Sequence, residues 1–511
     1  MDTWSEGYMS DVDYTYGYYP ELNPGRIRLA FLNSGLAYPE IGTACELGYG
    51  QGLSVNMHAA ASQAQWHGTD FNPSQAGFAL ELAGASGSGA RLRDDAFADY
   101  CTRTDLPDFD YIGLHGIWSW VSDANRSLIV DFVRRKLKVG GVLYVSYNTM
   151  PGWASSAPVR RLLTDYAATM NTVGEGQISR VNSALEFVDR LMGVNPVYLA
   201  ANPLVQKKIE TLKKQNRNYL AHEYFNRDWN PMYFSDMARC LGPAKVSFAC
   251  SAFYLDHIDV LGLTPPQQAL LDGIPDPVLR QTVRDYLVNQ QFRRDYWVKG
   301  SRRLSGLEQA DLLREQSVVL VAPRAGVKLK IDGTAGEANL TEAIYVPVLD
   351  ALQDHRPVSL AQLEKDVAGR NISFGQLVQA VMVLCGMGKV EPAQSAAAAA
   401  QARPCTDRLN QQLLKKARGS ADLSYLASPV TGGGIMVGRD QQLFLMAIAR
   451  GMDSTDAWVD LAWQTLSAQG QKLIREGKVL ETPEENRAEL KARAQAFAGT
   501  QLPIYKALQL A

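Results

Sequence analysis

Hydrophobic and polar positions follow two different periods in the first 150 residues, and this pattern predicts strands and helices in alternation. Apolar runs bounded by turn residues predict strands at 41–48, 65–70, 109–114 and 142–147, with a short strand and turn at 91–97. Helical spacing predicts helices at 53–61, from Pro73 onward and at 123–137. Repeated β-α units of this kind indicate an α/β fold with a mostly parallel, Rossmann-like sheet covered by helices.

A helical block at 155–218 interrupts this alternation and predicts an inserted subdomain. The sequence is compatible with two roles for this subdomain, a contact in a dimer and an insertion that only packs against the core. A strand at 245–254, with apolar side chains at period two, is expected to complete the sheet. The core is therefore predicted to comprise residues 1–154 and 219–260.

The next part of the chain predicts a small middle domain at 261–340. Helical spacing covers 265–294, and apolar runs predict strands at 318–321 and 327–331. These strands are expected to belong to the middle domain, because they lie between two long helical stretches.

The remainder, 341–511, is expected to form a mainly helical C-terminal domain. Residues 341–393 predict three helices and a strand in a winged-helix-like order. The third of these helices lacks the Lys and Arg that phosphate contacts need, which favours a protein contact or a structural role over DNA binding. The alanine-rich tract 394–401 is either a linker or a short helix.

The composition of the 511-residue chain is that of an ordinary globular protein, with 46% hydrophobic residues, 20% charged residues and a net charge of −2. This balance gives no general attraction to nucleic acid or to an anionic membrane. The six scattered cysteines include no C-x-x-C pair, which argues against a metal site and a disulfide framework. With no long apolar run and no signal-peptide pattern, we expect a cytoplasmic protein without a membrane span, metal or nucleic-acid partner.

The segment 45–52, Cys-Glu-Leu-Gly-Tyr-Gly-Gln-Gly, carries the strongest chemical signal in the chain. Gly48, Gly50 and Gly52 can take left-handed backbone angles and let a ligand approach the main chain at the start of a helix. Asp70 ends the next predicted strand about 20 residues later, where a ribose-binding carboxylate is expected. These features together predict a nucleotide-like cofactor.

The acid that precedes the first glycine discriminates between two classes of cofactor. A dinucleotide-binding fold usually has G-x-G-x-x-G, with a pyrophosphate at the helix N-terminus. Glu46 would repel a pyrophosphate, whereas it suits a cofactor that carries positive charge and an amino group. The E-x-G-x-G-x-G form resembles motif I of class I S-adenosylmethionine-dependent methyltransferases, which favours a methyltransferase over a dehydrogenase.

Aromatic residues surround the predicted carboxyl edge of the sheet, in the segments 8–19, 115–120, 147–153 and 222–226. His115 and His222 are candidate bases or orienting groups within two of these segments. A lysine amine, with a free pKa near ~10.4, must lose a proton before it can attack a methyl group, and an aromatic channel favours the neutral amine by desolvation. Taken singly, each cluster is also compatible with core aromatics that cap the sheet.

These segments together resemble bacterial class I methyltransferases that carry a methyltransferase regulatory domain. Within that group they are similar to the protein lysine methyltransferases that modify outer-membrane proteins. The resemblance rests on the segments 14–26, 46–52, 115–121, 147–153, 222–226, 292–295 and 426–430. It covers most of the chain and implies a Rossmann-like core, a helical dimerisation insertion, a middle domain and a C-terminal domain.

The resemblance also implies roles for individual residues. The residues implied to bind S-adenosylmethionine are Glu46, Gly48, Tyr49, Gly50, Gly52, Asp70, Phe71, Asp95, Ala96, Phe97 and His115. The residues implied to lie near the methyl group and the incoming side chain are Tyr14, Tyr16, His115, Trp118, Trp120 and Tyr147. The chain departs from the family at Asn23, where a histidine is common, and at Tyr49, where a smaller residue is common.

Three functions are compatible with these residues. The first is a protein lysine N-methyltransferase, with lysine side chains of a protein partner as substrate. The second is a methyltransferase for a small molecule or a cell-surface component, and a closed apolar pocket would favour it over an open groove. The third is a non-catalytic binding protein, against which the intact Glu46, glycines and Asp70 argue. A homodimer is allowed in every case.

Overall fold

The computed structural model describes residues 15–170, 176–333 and 336–511. The strands of its central sheet are β1 (Thr43–Leu47), β2 (Gln65–Thr69), β3 (Arg91–Arg93), β4 (Phe109–Leu114), β5 (Leu137–Asn148), β6 (Val246–Ser251) and β7 (Phe292–Lys299). They lie in the order β3-β2-β1-β4-β5-β7-β6. The first five are parallel, and β7 is antiparallel to both β5 and β6. The predicted α/β fold with a mostly parallel sheet is confirmed.

The helices around the first five strands are α1 (Pro24–Asn33), α2 (Leu53–Ala61), α3 (Pro73–Ser86), α4 (Phe97–Tyr100) and α5 (Asp123–Lys136). The predictions of α2, α3 and α5 are confirmed, whereas α1 and α4 were not predicted. The Asn72 side chain caps α3 by accepting the Ser74 N–H at 3.0 Å, and Pro73 occupies the first helical position. Large aromatic side chains such as Trp66, Phe109 and Tyr111 are fully buried around the sheet.

The predicted helical insertion is confirmed as a bundle with its own hydrophobic core. Its helices are α6 (Ala157–Thr169), α7 (Gln177–Gly193), α8 (Val197–Ala201), α9 (Leu204–Lys214) and α10 (Arg217–Tyr224). Leu163, Val181, Leu185 and Ile209 are buried together inside the bundle. The chain then returns to the sheet through α11 (Phe234–Leu241).

The prediction of a helix over 265–294 is wrong at its C-terminal end. After α12 (Asp259–Gly262), the helices α13 (Pro265–Asp272) and α14 (Pro277–Val288) are followed by β7. Tyr296 and Trp297 are adjacent in sequence and both fully buried, because β7 is covered on both faces. Such a strand has no period-two alternation, so the sequence pattern gave no signal for it. The core sheet therefore extends past the predicted border at residue 260.

The next region combines helices with small sheets. Its elements are α15 (Gly306–Arg314), β8 (Ser317–Leu320), β9 (Lys330–Gly333), β10 (Gly336–Asn339), α16 (Glu342–Ala351), β11 (Val358–Ser359), α17 (Leu360–Asp366), α18 (Phe374–Gly386) and β12 (Val390–Ala393). The three helices and the strand predicted for 341–393 are confirmed. The strand predicted at 318–321 instead pairs with β11 and β12, so it belongs to this C-terminal unit and not to a separate middle module. The strand predicted at 327–331 begins only at Lys330.

The last region is mainly helical and packs on the outer face of α2 and α3. Its elements are α19 (Ala396–Ala417), β13 (Tyr425–Ser428), β14 (Gly433–Met436), α20 (Arg439–Ala449), α21 (Thr455–Ser467), β15 (Ile474–Arg475), β16 (Lys478–Val479), α22 (Pro483–Ala496) and α23 (Leu502–Ala507). The alanine tract begins the 22-residue helix α19, so the linker alternative is wrong. Among the described residues, no helix is both long and apolar enough to cross a membrane.

Candidate active site

The turn between β1 and α2 depends on glycine. Gly48, Gly50 and Gly52 have φ angles of 71°, 58° and 69°, which lie in the left-handed region. A Cβ on Gly48 would lie 2.5 Å from Cδ1 of Ile117, and a Cβ on Gly52 would lie 2.4 Å from Cβ of Ala79 on α3. The turn therefore combines left-handed backbone with close approach to neighbouring elements.

A cavity that opens to solvent lies over this turn, at the carboxyl ends of β1, β2 and β4. Of the residues that the sequence singled out, those that line it are Gly48, Tyr49, Gly50, Gly52, Asp70, Phe71, Asp95, Ala96, Phe97, His115 and Trp120. These residues come from four separate segments, and the parallel sheet brings them to one edge. Thr15, Gly17, Tyr19 and Ile117 also line the cavity; they belong to segments that the sequence analysis noted without giving these residues individual roles. Asp228 lines it as well, and the sequence pattern did not single it out.

Asp70 is held at the end of β2 by the backbone around it. Its Oδ2 accepts the Gly50 N–H at 2.8 Å and its Oδ1 accepts the Asn72 N–H at 3.1 Å. Burial raises the pKa of this carboxyl to about 7, although the two backbone hydrogen bonds act to lower it. A cavity-lining carboxylate fixed in this way can accept hydrogen bonds from a ligand only through its remaining lone pairs.

Glu46 lies behind the cavity lining, within β1, and its side chain is almost completely buried. Its Oε2 has no hydrogen-bond partner among the described residues. Burial, with a smaller contribution from the nearby Asp70 charge, raises the pKa of Glu46 to about 8. Two buried acids of like charge beneath one cavity are an arrangement that a cationic ligand would stabilise.

One wall of the cavity is formed by residues 15–23, which we call the N-terminal strap; it has no helix or strand over 15–19 and forms a 3₁₀ turn at Pro20–Leu22. Thr15, Gly17 and Tyr19 of the strap line the cavity. Tyr16 and Tyr18 belong instead to the hydrophobic cluster shared with the last region of the chain. The strap thus presents alternate residues to opposite sides, as an extended chain does.

This alternation corrects the predicted roles of the N-terminal tyrosines. Tyr16 packs edge-on against Phe78 of α3, with ring centroids 5.0 Å apart, and does not line the cavity. Tyr14 lies outside the described residues. The tyrosine that faces the cavity is Tyr19, whose ring stacks on His115 at a centroid distance of 3.6 Å.

His115 is neutral at physiological pH, because burial lowers the pKa of its imidazole to about 4. Its Nδ1 lies 2.8 Å from the Tyr144 hydroxyl, which fixes the ring on the side away from Tyr19. The neighbouring turn is held by the Gly116 N–H, which donates to Oγ of Ser146 at 2.7 Å. A neutral, positioned imidazole can orient a polar group in the cavity without adding charge.

Two of the residues predicted beside the reacting atoms do not line the cavity. Trp118 is fully buried, and its indole N–H points at Sδ of Met232. Tyr147 donates its hydroxyl hydrogen to Oδ2 of Asp295 at 2.9 Å, inside a buried network that includes Arg293. Both side chains pack in the core. Tyr147 on β5 and Trp118 in the turn after β4 are directed away from the cavity. His222, the other candidate base, is also buried and off the cavity lining.

A sheet of this strand order, with a glycine-rich turn after β1 and an acid after β2, defines the class I S-adenosylmethionine-dependent methyltransferase fold. Residues 216–299 match the family described as predicted methyltransferase regulatory domain. The Synechocystis protein sll1526 is 40% identical over 507 residues, covering 98% of each chain. The Rickettsia prowazekii protein RP789 is 27% identical over 295 residues, 55% of this chain and 51% of that protein.

Among solved structures, PKMT2 from Rickettsia typhi in complex with AdoHcy superposes with a TM-score of 0.70 at 16% identity. The match covers 98% of this chain and 100% of PKMT2, so the two share a fold from end to end. The chain belongs to the family of the Synechocystis protein. It has the fold of class I S-adenosylmethionine-dependent methyltransferases, and residues 216–299 match the predicted methyltransferase regulatory domain.

The residues present fit S-adenosylmethionine as the cofactor. The Glu46 carboxyl has a buried oxygen without a partner among the described residues, and the cofactor carries an ammonium and a sulfonium charge. The glycine turn leaves open a cradle that a Cβ on Gly48 would narrow. Both observations concern the same end of the cavity, where β1 and β2 terminate.

Proposed function

We propose that this protein is a protein lysine N-methyltransferase that uses S-adenosylmethionine and acts on a surface or outer-membrane protein. The observation that carries the proposal is a cavity that brings acidic and aromatic side chains together. Asp70, which is near the buried Glu46, lines this cavity together with Tyr19, His115 and Trp120. An open cavity suits a side chain presented by a macromolecule better than a free small molecule.

The full-length fold shared with PKMT2 from Rickettsia typhi, whose structure holds AdoHcy, supports this proposal. Similarity that includes the insertion and the C-terminal regions is informative, because those regions lie outside the cofactor-binding core. They are the regions available to contact a large substrate.

The chemistry requires little acid–base machinery from the chain. S-adenosylmethionine supplies a methyl group on a sulfonium, which a neutral amine attacks in line. The aromatic wall lowers the local dielectric and favours the deprotonated lysine amine. Tyr19 and neutral His115 add no positive charge that would oppose its approach, and their stacked rings restrict its path.

The test is incubation of the purified protein with methyl-labelled S-adenosylmethionine and a cell lysate separated into proteins and small molecules. We expect label in protein, mapped by mass spectrometry to lysine. Label confined to small molecules would refute the lysine proposal and leave a methyltransferase. A heat-treated sample of the protein serves as the control for chemical methylation.

Cofactor affinity is expected to rise with pH between 6 and 8. The raised pKa values, about 7 for Asp70 and about 8 for Glu46, mean that both acids hold protons at pH 6. The ammonium group that AdoHcy shares with S-adenosylmethionine favours their ionised forms, so binding must displace protons at low pH. We expect AdoHcy to bind roughly tenfold more tightly at pH 8 than at pH 6 by calorimetry, with net proton release. Affinity that is flat across this range would contradict the assignment of these acids to the ligand.

The insertion is proposed to form a homodimer contact. Val194, Val197 and Leu204 follow one another along α7, α8 and α9, and their side chains are largely exposed. Exposed apolar clusters of this kind mark association surfaces. We expect Val197→Lys to convert a dimer to a monomer in light scattering coupled to size exclusion. Val139→Lys, equally exposed but on the core, should leave the mass unchanged, and a monomeric unmodified protein would refute the contact.

The C-terminal unit around α16, α17 and α18 is proposed to be a winged-helix-like domain that does not bind nucleic acid. Its third helix, α18, contains no charged residue, and most of its side chains are buried. A helix without Lys or Arg lacks the charged side chains that contact phosphates. The remaining domain boundaries are proposed to separate the core, the helical insertion and the two regions that follow the core.

A cytoplasmic location is proposed from the cysteines. All six are free, and Cys45, Cys101, Cys250 and Cys385 are buried thiols. Free cysteines are typical of reducing compartments. Fractionation of cells that express the tagged protein would test this proposal, and recovery in a membrane or periplasmic fraction would refute it.

A further inference from the structure

The cavity wall formed by the N-terminal strap is held from behind by the hairpin β13–β14. Tyr18 is buried, and its ring contacts Tyr425 of β13 at a centroid distance of 5.2 Å. The Tyr18 side chain lies against Gly433 and Gly434 of β14. Tyr18 lies between Gly17 and Tyr19, both of which line the cavity. Displacement of Tyr18 must therefore move two residues of the cavity wall.

The hairpin can approach the strap this closely because it carries two glycines. A Cβ on Gly433 would lie 2.2 Å from the Tyr18 hydroxyl and 2.7 Å from Nδ2 of Asn23. A Cβ on Gly434 would lie 2.9 Å from the Tyr18 ring. Neither glycine has a left-handed φ angle, so close contact with the strap is the reason for glycine here, not backbone conformation.

A second attachment lies at the end of the strap. Nδ2 of Asn23 donates to the Thr431 carbonyl at 3.0 Å, while its Oδ1 accepts the Gly25 N–H at 2.8 Å and caps α1. One side chain thus both starts the first helix and ties the strap to the loop between β13 and β14. The salt bridge from Arg26 to Glu391, at 2.7 Å, adds an attachment one helical turn later.

We propose that the hairpin β13–β14 is a positioning element of the cofactor site, acting through Tyr18 and Asn23. It holds the strap so that Gly17 and Tyr19 form the cavity wall, and it gives the last region of the chain a role in cofactor affinity. The inference rests on the proposed cofactor site and not on the identity of the methyl acceptor.

The expected size of the effect follows from the fraction of molecules with the strap in place. Apparent affinity falls in proportion to that fraction. Loss of one hydrogen bond leaves the strap mostly in place, whereas a forced overlap between hairpin and strap displaces it. A substitution that tests the inference must therefore add an atom at the contact between the hairpin and the strap, and not only remove one.

The experiment measures AdoHcy binding by calorimetry in the full-length protein with the substitution Gly433→Ala. We expect at least tenfold weaker binding, while Tyr18→Phe weakens it by no more than about threefold. The double variant Tyr18→Phe with Gly433→Ala should recover part of the loss, because removal of the hydroxyl relieves the closer overlap of the new methyl group while the overlap with Nδ2 of Asn23 remains. General destabilisation would give no such rescue.

The matched control is Met436→Ala in the same hairpin. Met436 lies in β14 with its side chain largely exposed and away from the strap, so cofactor affinity should be unchanged. Equal weakening by Met436→Ala and Gly433→Ala, or unchanged affinity in Gly433→Ala, would overturn the inference. If the unmodified protein did not bind AdoHcy, the cofactor site itself would be refuted instead.

A second variant keeps the test available if Gly433→Ala is not recovered folded. Asn23→Asp preserves the size of the side chain and the helix cap but places a carboxylate oxygen against the Thr431 carbonyl. We expect weaker AdoHcy binding by about tenfold, with a raised KM for S-adenosylmethionine and little change in kcat. Unchanged binding in this variant would overturn the inference.

Discussion

Asp70→Ala is expected to weaken AdoHcy binding by roughly one to two orders of magnitude, about 1.5–3 kcal/mol for hydrogen bonds to a charged group. Asp70 lines the cavity, and its carboxylate also accepts the Gly50 N–H of the glycine turn. The substitution therefore removes a ligand contact and releases one fixed point of the turn. Calorimetry with purified protein at pH 8, where the acid is ionised, measures the effect.

The control for this substitution is Asp94→Ala. Asp94 is an exposed acid just after β3, close to the cavity but outside its lining. Asp94→Ala changes the local charge without removing a residue from the cavity lining. We expect an affinity for AdoHcy within about twofold of that of the unmodified protein. Unchanged affinity in Asp70→Ala would remove Asp70 from the ligand site.

Glu46→Gln is expected to change stability and cofactor binding in opposite directions. The raised pKa of Glu46 means that the folded protein keeps a proton that the unfolded chain releases above about pH 4.5. Stability of the unmodified protein is therefore lost as pH rises towards 8. Glutamine has no such proton, so the variant should be more stable at pH 8, on the order of 1–3 kcal/mol in the free energy of unfolding, and little changed at pH 5.

The same substitution should weaken AdoHcy binding by about tenfold, because it removes a negative charge beneath the cavity. Urea unfolding of the ligand-free protein at pH 5 and pH 8, with calorimetry at pH 8, measures both effects. Glu40→Gln makes the same exchange at an exposed site and should alter neither quantity. A variant that is less stable at both pH values would show that Glu46 is a stabilising group and would refute the cofactor role.

The cofactor end of the site could be predicted from the sequence because its residues are fixed by local structure. The spacing of Glu46, three glycines and Asp70 follows from one strand, one tight turn and the next strand. The acceptor end could not be predicted in the same way. Whether Tyr16 or Tyr19 faces the cavity depends on the phase of an extended segment, and one residue of shift reverses every side chain.

The aromatic segments after β4 and β5 show a related limit of prediction from the sequence. Trp120 lines the cavity while Trp118, two residues earlier, is fully buried. The short 3₁₀ turn at Trp118–Trp120 separates the two side chains, and no period in the sequence indicates such a turn. Tyr147 is committed to Asp295 on β7, a strand that the hydrophobic pattern assigned to a helix.

The sequence by itself determined the α/β core, the helical insertion and the cofactor end of the site. These features depend on hydrophobic period and on glycine and carboxylate spacing, which are local along the chain. Only the tertiary structure decided which tyrosine forms the cavity wall, where β7 lies and what holds the strap. Tyr18 and Gly433 are more than 400 residues apart, and their contact depends on the packing of the last region against α2 and α3. Contacts between residues so far apart in the sequence cannot be predicted from a local hydrophobic pattern.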